Sequence, residues 1–490
     1  MKRFVLGIVG FVLWGCASAP APGIEQIQTI VVIYAENRSF DHLYGLFPGA
    51  DGIANATDLE KTQLDHDGTP LPHLPPVYVN GKPSAAFPDR LPNGPFRIDL
   101  PPVSRSINQQ LPSPIHLYYQ NREQINDGRN NKFVAMSNVG AWVMGYFDGS
   151  HMKVWGWAKE YTLADHFFMG AYGGSYLNHH YLICACTPRD PSAPDSARPR
   201  LDDRGFLLKK PGSPRSVLQG PVDVFDGRVS PDGYTVNTTQ PPYQPSGIAP
   251  APGGNLDLAD PSKHPLPPSH DRTIGDTLSA KGVSWAWYAG GWNAALADGR
   301  RDASEPRSVI YAVRPGQIAF QPHHQPFNYY ERFAPGTADR AEHLKDYDDL
   351  ARDIEKGTLP QVVFYKPVGR LNQHPGYTNV LAGDEHIADL LEKLRHSPQW
   401  KRMMVIVTYD ENGGFWDHVP PPAGNGWSDR WGPGTRIPTI VVSPFARRGY
   451  VDHTFYDTTS VLKLIQRRFG LEPLPGVRAN VGDLSNALAF

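Results

Sequence analysis

Two short apolar runs, far apart in the chain, each lead into a polar turn rich in oxygen donors. The first run, TIVVIYA, covers residues 29–35, and the second, MMVIV, covers residues 403–407. Uninterrupted apolar runs of this length are typical of strands buried on both faces, which occur in sheets covered by helices on either side. The turns that follow supply four candidate metal ligands: Glu36, Asn37, Asp410 and Glu411.

The position of these donors predicts a cation site. Side chains that directly follow a buried strand lie at its carboxyl edge, where open α/β sheets bind their ligands. Carboxylate and amide oxygens suit Mg²⁺, Ca²⁺ or Mn²⁺ better than a thiolate site would. Gly413 and Gly414 follow the second pair of donors and let the backbone come close to whatever the acids hold.

The two turns also carry a resemblance. IVVIYAENRSFDH and VTYDENGGFWDHVPPP resemble the signature blocks of the bacterial phosphoesterase superfamily that contains acid phosphatase A and the non-specific phospholipases C. The resemblance covers most of residues 27–470 and implies an alkaline-phosphatase-like α/β fold, a three-layer core with a mostly parallel sheet and long loop insertions. It also implies one divalent metal ion of unknown identity, held by the following residues: Glu36, Asn37, Ser175, Asp410 and Glu411.

Ser175 is the candidate nucleophile. It follows Gly173-Gly174, and a serine in a glycine-rich turn exposes its hydroxyl at little steric cost. The local sequence is not G-x-S-x-G, so no α/β-hydrolase nucleophile turn is predicted. The resemblance implies that Ser175 lies where the acid phosphatase branch carries its nucleophilic serine, whereas the phospholipase C branch tends to have threonine in a different context.

Four histidines are candidate phosphate contacts: His116, His323 and His324 by the same resemblance, and His374 because it follows a predicted strand at the carboxyl edge of the sheet. One of them would protonate the leaving group, and the sequence does not identify which. Asn37, His116, His323 and His324 are expected to bind the substrate phosphate. His179 and His180, just after Ser175, are interpreted as structural, and the role of His453 is left open.

The rest of the pattern predicts alternating strands and helices. Strands are expected at residues 283–288, 361–366 and 437–442, and helices at 151–161, from 273, from 384 and at 459–469. This order predicts a predominantly parallel sheet covered on both faces, in agreement with the fold that the resemblance implies. Between residues 188 and 268, by contrast, 17 of the chain's 49 prolines occur with little periodicity.

The sequence therefore predicts one catalytic domain over residues 27–490 with a proline-rich insertion at about 188–270. Ahead of it, residues 1–16 are interpreted as a lipoprotein-type signal peptide with Cys16 as the first mature residue, and residues 17–26 as a tether. The alternative is ordinary cleavage after Ala19. Either reading predicts export, to the periplasm or outer membrane or as a secreted protein, with the membrane reached only through a lipid anchor.

The charge balance bears on nucleic-acid binding, and the cysteine content bears on disulfide formation. The chain has 47 basic and 49 acidic residues, which gives no support for nucleic-acid binding. Oligomeric state is not predicted. Cys184 and Cys186 are too close for an unstrained bridge if they lie on a strand, so buried thiols or a loop feature are expected rather than a disulfide framework.

The predicted function is hydrolysis of small phosphate monoesters, as in an acid phosphatase, through a phosphoserine at Ser175. The first alternative is a phospholipase C acting on phospholipid phosphodiesters. A sulfatase or phosphonate-type hydrolase is a second alternative, but the context of Ser175 does not supply a sulfatase modification motif. The third is a non-catalytic surface lipoprotein that keeps the fold as a binding module.

Overall fold

The computed structural model describes residues 23–314 and 316–490. The predicted signal peptide, residues 1–16 with Cys16, and most of the predicted tether lie outside the described residues. Within the described part of the chain, no helix is both long enough and apolar enough to cross a membrane.

The core is one sheet of eight strands. In chain order they are β1 Thr29–Ala35, β2 Thr162–Ala164, β3 Trp285–Ala289, β4 Leu344–Asp346, β5 Val362–Lys366, β6 Met403–Tyr409, β7 Thr439–Val442 and β8 Tyr450–Asp452. The first strand, β1, covers the residues predicted for it, and β6 extends two residues beyond the predicted run because it pairs with β1 along its whole length. Across the sheet the strands lie in the order β8-β2-β7-β6-β1-β5-β3-β4.

Most neighbouring strands are parallel. β1 lies between β5 and β6 and is parallel to both, and β5, β3 and β4 continue the parallel arrangement. β7 runs antiparallel to both β6 and β2, while β8 is parallel to β2. The prediction of an α/β fold with a mostly parallel sheet is therefore confirmed.

Eleven α-helices of the described residues surround the sheet, and β1 and β6 are buried along their whole length. Capping residues set several of the helix ends: Asn379 accepts from the N–H of Ala382 and starts α10 four residues before its predicted start. The helices are α1 Phe40–Tyr44, α2 Asp58–Lys61, α3 Tyr118–Ile125, α4 Lys153–Glu160, α5 Ser175–Cys184, α6 Ile274–Ala280, α7 Trp292–Gly299, α8 Ala338–His343, α9 Tyr347–Lys356, α10 Val380–His396 and α11 Thr458–Phe469.

Three two-stranded pairs lie outside the main sheet. They join Tyr78–Val79 to Lys82–Pro83, Phe96–Arg97 to Gly145–Tyr146, and Phe167–Phe168 to Tyr456–Asp457.

The proline-rich segment contains no α-helix or strand between α5 and α6 in the described part of the chain. It nevertheless packs against the core, since Val217, Val229 and Val236 are all fully buried. The side chain of Asn237 accepts a hydrogen bond from the backbone N–H of Tyr118 at 2.9 Å, at the start of α3. The segment is thus ordered against the core, and part of it reaches the pocket described below.

The expectation of free thiols is wrong. Cys184 and Cys186 form a disulfide, with their Cα atoms 5.1 Å apart. The prediction assumed a strand, whereas Cys184 ends α5 and Ala185 takes a left-handed conformation with φ 48°. That turn changes the direction of the chain between the two cysteines and brings their side chains together, which a strand would not do.

Candidate active site

The carboxyl edge of the sheet brings the two predicted metal-binding turns together. Ala35, the last residue of β1, pairs with Tyr409, the last residue of β6, so Glu36 and Asp410 leave the sheet side by side. The backbone N–H of Asn37, which has φ 64°, donates to Asp410 Oδ1 at 3.2 Å. The parallel register therefore determines that the donors of these two turns meet.

Ser175 is the first residue of α5, not part of the preceding turn. Its Oγ lies 3.4 Å from Asn37 Oδ1 and 3.3 Å from Glu411 Oε1, so it faces the predicted metal ligands directly. The first residues of a helix carry unpaired N–H groups and the positive end of the helix dipole. A serine oxygen placed there is favoured in its anionic form, as a nucleophile requires.

Gly173 and Gly174 are needed because the segment 116–118 packs directly on their backbone. A Cβ atom on Gly174 would lie 2.7 Å from the carbonyl oxygen of His116, and one on Gly173 would lie 2.5 Å from the nitrogen of Tyr118. Gly173 also has φ +92°, a conformation that other residues rarely adopt. This close approach places His116 next to Ser175.

We expect Gly173→Ala to lower the free energy of unfolding by about 1–3 kcal/mol and to reduce ester hydrolysis, because the added methyl group must displace Tyr118. Gly212→Ala is the matched control, since Gly212 has φ +84° but no heavy atom within 4 Å of its added Cβ. Urea denaturation and kcat/KM of both variants would measure the effect. If both variants lost equal amounts of stability and kcat/KM, the cause would be backbone strain and not the contact with Tyr118.

Three of the four predicted histidines, His116, His323 and His374, line a cavity of about 200 Å³ beside Ser175. His116 donates from Nδ1 to the Pro114 carbonyl at 2.7 Å in the tautomer that leaves Nε2 free to accept from the Asn37 amide at 3.2 Å. His323 Nδ1 is buried without a hydrogen-bond partner. His374 stacks on Tyr377, with ring centroids 4.3 Å apart.

Burial lowers the pKa of each of these three imidazoles, that of His374 to about 3. They are therefore neutral in the free protein near neutral pH, and a bound phosphate would favour their protonated forms through its charge.

His324 lies deeper than the other three. Its Nε2 is 2.6 Å from Glu36 Oε1, and its ring stacks on His179 with centroids 5.3 Å apart. It is not among the residues that line the cavity. His179 in turn places Nδ1 2.7 Å from the Ser175 carbonyl, which is consistent with a structural role. The geometry therefore supports a direct contact with phosphate for His323 and gives less support for such a contact to His324.

The acids have strongly shifted pKa values. Burial alone would raise the pKa of Glu36, but His324 and Lys366 hold it well below its usual range. Burial raises the pKa of Asp410 to about 7, even though Lys366 opposes the shift. Burial and the neighbouring charge of Asp410 raise the pKa of Glu411 well above its usual range.

Buried carboxylates that repel one another in this way fit a cation, whose charge would stabilise their ionised forms. The oxygens of Glu36, Asp410 and Glu411, with Asn37, suit a hard divalent ion. Glu36 also forms a second group of potential ligands with His323 and His324, whose donor atoms lie within 4.8 Å of one another. The structure thus holds groups that could bind metal, and it does not fix the number of ions.

Sequence reasoning missed Lys366, which is completely buried at the end of β5. Its Nζ lies 3.3 Å from Asp410 Oδ2 and 3.7 Å from Glu36 Oε1, so it supplies a fixed positive charge between the two acids. The signal was present in the sequence, because this lysine ends a predicted buried strand at the same sheet edge.

Two further residues contact the other oxygen of Glu36. Asn372 donates to Glu36 Oε2 from its amide, and Tyr377 donates to the same atom at 3.1 Å. Neither was predicted, because both lie in the irregular loop around His374. Together with His324 they fix the orientation of the Glu36 carboxylate.

The remaining polar residues of the two signature turns form a buried network behind the pocket. Arg436 pairs with Asp41 at 3.0 Å and with Asp417 at 2.9 Å. His418 Nδ1 lies 2.7 Å from the second oxygen of Asp41. These residues tie the turn after β1 to the turn after β6, so they are positioning residues and do not line the cavity.

This network predicts a pH-dependent contribution to stability. Burial lowers the pKa of His418, but Asp41 and then Asp51 raise it to about 10, against an ordinary value of 6.5. Because the folded-state pKa is raised, the stabilisation is fully present below pH 6.5 and is lost as the pH rises through about 10. Between about pH 6 and about pH 10, wild type should lose more free energy of unfolding than His418→Gln, by on the order of 4 kcal/mol.

Urea denaturation at several pH values would measure this difference. The exposed His396 offers a control, and His396→Gln should follow the wild-type curve. If the free energy of unfolding changed equally with pH in wild type and in His418→Gln, the network would not hold a charged imidazole.

Comparisons with known proteins show which family the chain belongs to. A model of the phosphoesterase family matches residues 27–472. Phospholipase C A of Mycobacterium tuberculosis is 25% identical over 509 residues, covering 96% of this chain and 79% of that protein. Hemolytic phospholipase C of Pseudomonas aeruginosa is 26% identical over 498 residues, covering 95% of this chain and 56% of that protein.

Among solved structures, a Vibrio parahaemolyticus protein described as belonging to the alkaline phosphatase superfamily aligns with a TM-score of 0.34 and 10% identity, over 80% of this chain and 76% of that one. The family model covers nearly the whole chain, including both turns that carry the acids and Ser175 between them. The chain therefore belongs to the phosphoesterase family and is a phosphoric ester hydrolase.

Proposed function

We propose that the protein hydrolyses small phosphate monoesters, as an acid phosphatase does, through a covalent phosphoserine at Ser175. The observation that carries the proposal is the position of Ser175, at a helix N-terminus, facing Glu411 and Asn37 and opening into a cavity of about 200 Å³. A cavity of this size accommodates a phosphoryl group and a small leaving group, whereas a diacylglycerol would have to extend out of it.

Each residue of the site has a proposed role. Ser175 Oγ attacks phosphorus and the ester oxygen leaves, and water later releases phosphate from the serine. Asn37 and His323 donate to phosphoryl oxygens. A histidine of the pocket gives a proton to the leaving oxygen, and His116 and His374 are the two that are partly exposed. His324 supports this arrangement by orienting Glu36.

A single divalent metal ion, bound by Glu36, Asn37, Ser175, Asp410 and Glu411, would stabilise the serine alkoxide and the charge on the phosphoryl group. Lys366 places a positive charge beside Glu36 and Asp410. Since the acid must be a protonated imidazole with a lowered pKa, activity is expected to be highest below neutral pH and to fall as the pH rises.

The second candidate function is phospholipase C activity. The curated relatives carry that name, and the pocket wall contains tyrosines, Tyr311 and Tyr377, of the kind that bind quaternary ammonium groups. Tyr311 is 38% exposed at the rim, where a choline group of a phosphodiester could contact it. A diester would place its second substituent outside the cavity.

We also propose that residues 27–490 act as one catalytic domain whose proline-rich segment, at about 188–270, forms part of the substrate wall. Val236, Asn237 and Thr238 of that segment line the cavity. Export, with Cys16 as a lipid-modified first residue of the mature protein, completes the proposal.

The test compares p-nitrophenyl phosphate with p-nitrophenyl phosphorylcholine at several pH values, with and without a chelator. The proposal predicts that the monoester is hydrolysed faster, that the chelator removes the activity and that a divalent ion restores it. Faster hydrolysis of the choline diester would replace the proposal with phospholipase C. Full activity after exhaustive chelation would contradict the assignment of a metal ion.

A further inference from the structure

A second group of metal-type side chains lies at the far edge of the sheet, away from the catalytic pocket. β2 and β8 are parallel neighbours, and Ala164 pairs with Asp452, so Asp165 and His453 leave the sheet side by side. His453 Nδ1 is 2.8 Å from Asp165 Oδ2, and His166 Nδ1 is 3.4 Å from Asp165 Oδ1. One donor atom from each of the three residues lies within 4.8 Å of the others.

The carboxylate of Asp165 is completely buried, yet one of its oxygens has no hydrogen-bond partner. Oδ2 accepts from the backbone N–H of Asp51 at 2.7 Å and from His453, but Oδ1 accepts from nothing. A buried carboxylate oxygen without a donor is costly, and such groups commonly mark the position of a missing ion or proton. The unpartnered oxygen faces His166.

The second carboxylate of the cluster orients His166. Asp51 Oδ2 lies 3.2 Å from His166 Nε2, so the tautomer protonated at Nε2 donates to Asp51 and keeps its lone pair on Nδ1. That lone pair then faces Asp165 Oδ1 at 3.4 Å and the backbone carbonyl oxygen of His453 at 3.1 Å. In that tautomer the three electron-rich atoms repel one another, and a metal ion bound between them removes the repulsion. Without a metal ion, a proton on Nδ1 can instead donate to the His453 carbonyl.

We propose that Asp165, His166 and His453 form a second divalent metal site, separate from the catalytic one. Asp51, hydrogen-bonded to the far nitrogen of His166, would act as the outer carboxylate that commonly orients a metal-binding imidazole. Two imidazoles and one carboxylate favour a transition ion such as Zn²⁺ over Mg²⁺ or Ca²⁺. His453 Nδ1 would lose its proton to solvent as it binds the ion.

The ion would join three segments that are distant in the chain: the loop at Asp51, the turn after β2 and the turn after β8. The site is open to solvent, since the side chain of His453 is 58% exposed and that of Asp51 is 30% exposed. His418 connects the cluster to the active-site turns, because its Nε2 lies 3.3 Å from Asp51 Oδ1. The expected role is structural, holding the outer edge of the sheet to the turns behind the catalytic pocket.

The test is to titrate the chelator-treated full chain with Zn²⁺ by calorimetry and to measure the bound metal by mass spectrometry. His453→Ala is the main variant, because its exposed side chain can be removed without opening the core. His396→Ala is the matched control, since its imidazole is also exposed, at 78%. Asp165→Asn, which keeps the shape but removes the charge, is the second variant.

We expect wild type and His396→Ala to bind one Zn²⁺ per chain more than His453→Ala, or to bind it at least tenfold more tightly. Zn²⁺ should raise the Tm of wild type more than that of His453→Ala. Equal stoichiometry, affinity and Tm shift in wild type, His453→Ala and Asp165→Asn would overturn the proposal. Equal loss in His453→Ala and His396→Ala would also overturn it, because the binding would then be non-specific.

Discussion

Replacing Ser175 with alanine should lower kcat/KM for p-nitrophenyl phosphate by at least about 10³-fold, because the variant has no oxygen to attack phosphorus. Its fold should be unaffected, since Ser175 begins α5 without capping it by a side-chain hydrogen bond. Acid-quenched wild type should carry one phosphoryl group on Ser175 by peptide mass spectrometry, and the variant none.

A buried serine at the opposite edge of the sheet provides the control. Ser443 Oγ donates to the carbonyl of Met403 at the amino end of β6, away from the pocket. Ser443→Ala should therefore keep its kcat within a few-fold of wild type. Activity that survives in Ser175→Ala, with no phosphoserine trapped in wild type, would favour direct attack by water in place of a covalent intermediate.

Replacing Lys366 with methionine should lower the free energy of unfolding of the chelator-treated protein by about 3–5 kcal/mol. The side chain is completely buried between Glu36 and Asp410, so the variant leaves these two acids without their compensating charge. Methionine has a similar length, so the loss reports mainly the charge and not the volume. A divalent ion added back should restore part of the lost stability, because it supplies positive charge to the same carboxylates.

Urea denaturation with and without the divalent ion would measure both effects. Lys393→Met is the matched control, because Lys393 interacts with Tyr347 at an exposed position and should change stability little. If Lys366→Met were as stable as wild type in chelator, the acids would be protonated in the metal-free protein and the lysine would not balance their charge.

The sequence by itself determined the sheet and the meeting of its acids. The apolar runs at residues 29–35 and 403–407 are typical of buried strands, and in a parallel sheet their carboxyl ends lie at one edge. The donors Glu36 and Asp410 follow those ends directly, so a register of adjacent strands is enough to place them together. The apolar pattern predicts the strands, and the order of residues along the chain places an acid directly after each one.

Only the tertiary structure decided what surrounds those acids. The glycine-rich sequence predicts Ser175 in a turn, whereas it begins α5. The disulfide at the other end of that helix is not predicted, because the sequence around Cys184 is interpreted as a strand. Lys366 lies at a strand end that was predicted, yet its pairing with Glu36 and Asp410 depends on β5 being the neighbour of β1.

The depth of each pocket histidine was also decided only by the tertiary structure. His116 and His374 lie in loops and His323 lies in a short 3-10 helix, and no sequence pattern indicates how deeply each side chain is buried. His324 contacts Glu36 itself, although its neighbour His323 faces the cavity. Short-range apolar patterns indicate which segments are buried strands. The depth of a loop side chain depends instead on packing between segments distant in the chain, which the sequence pattern does not encode locally.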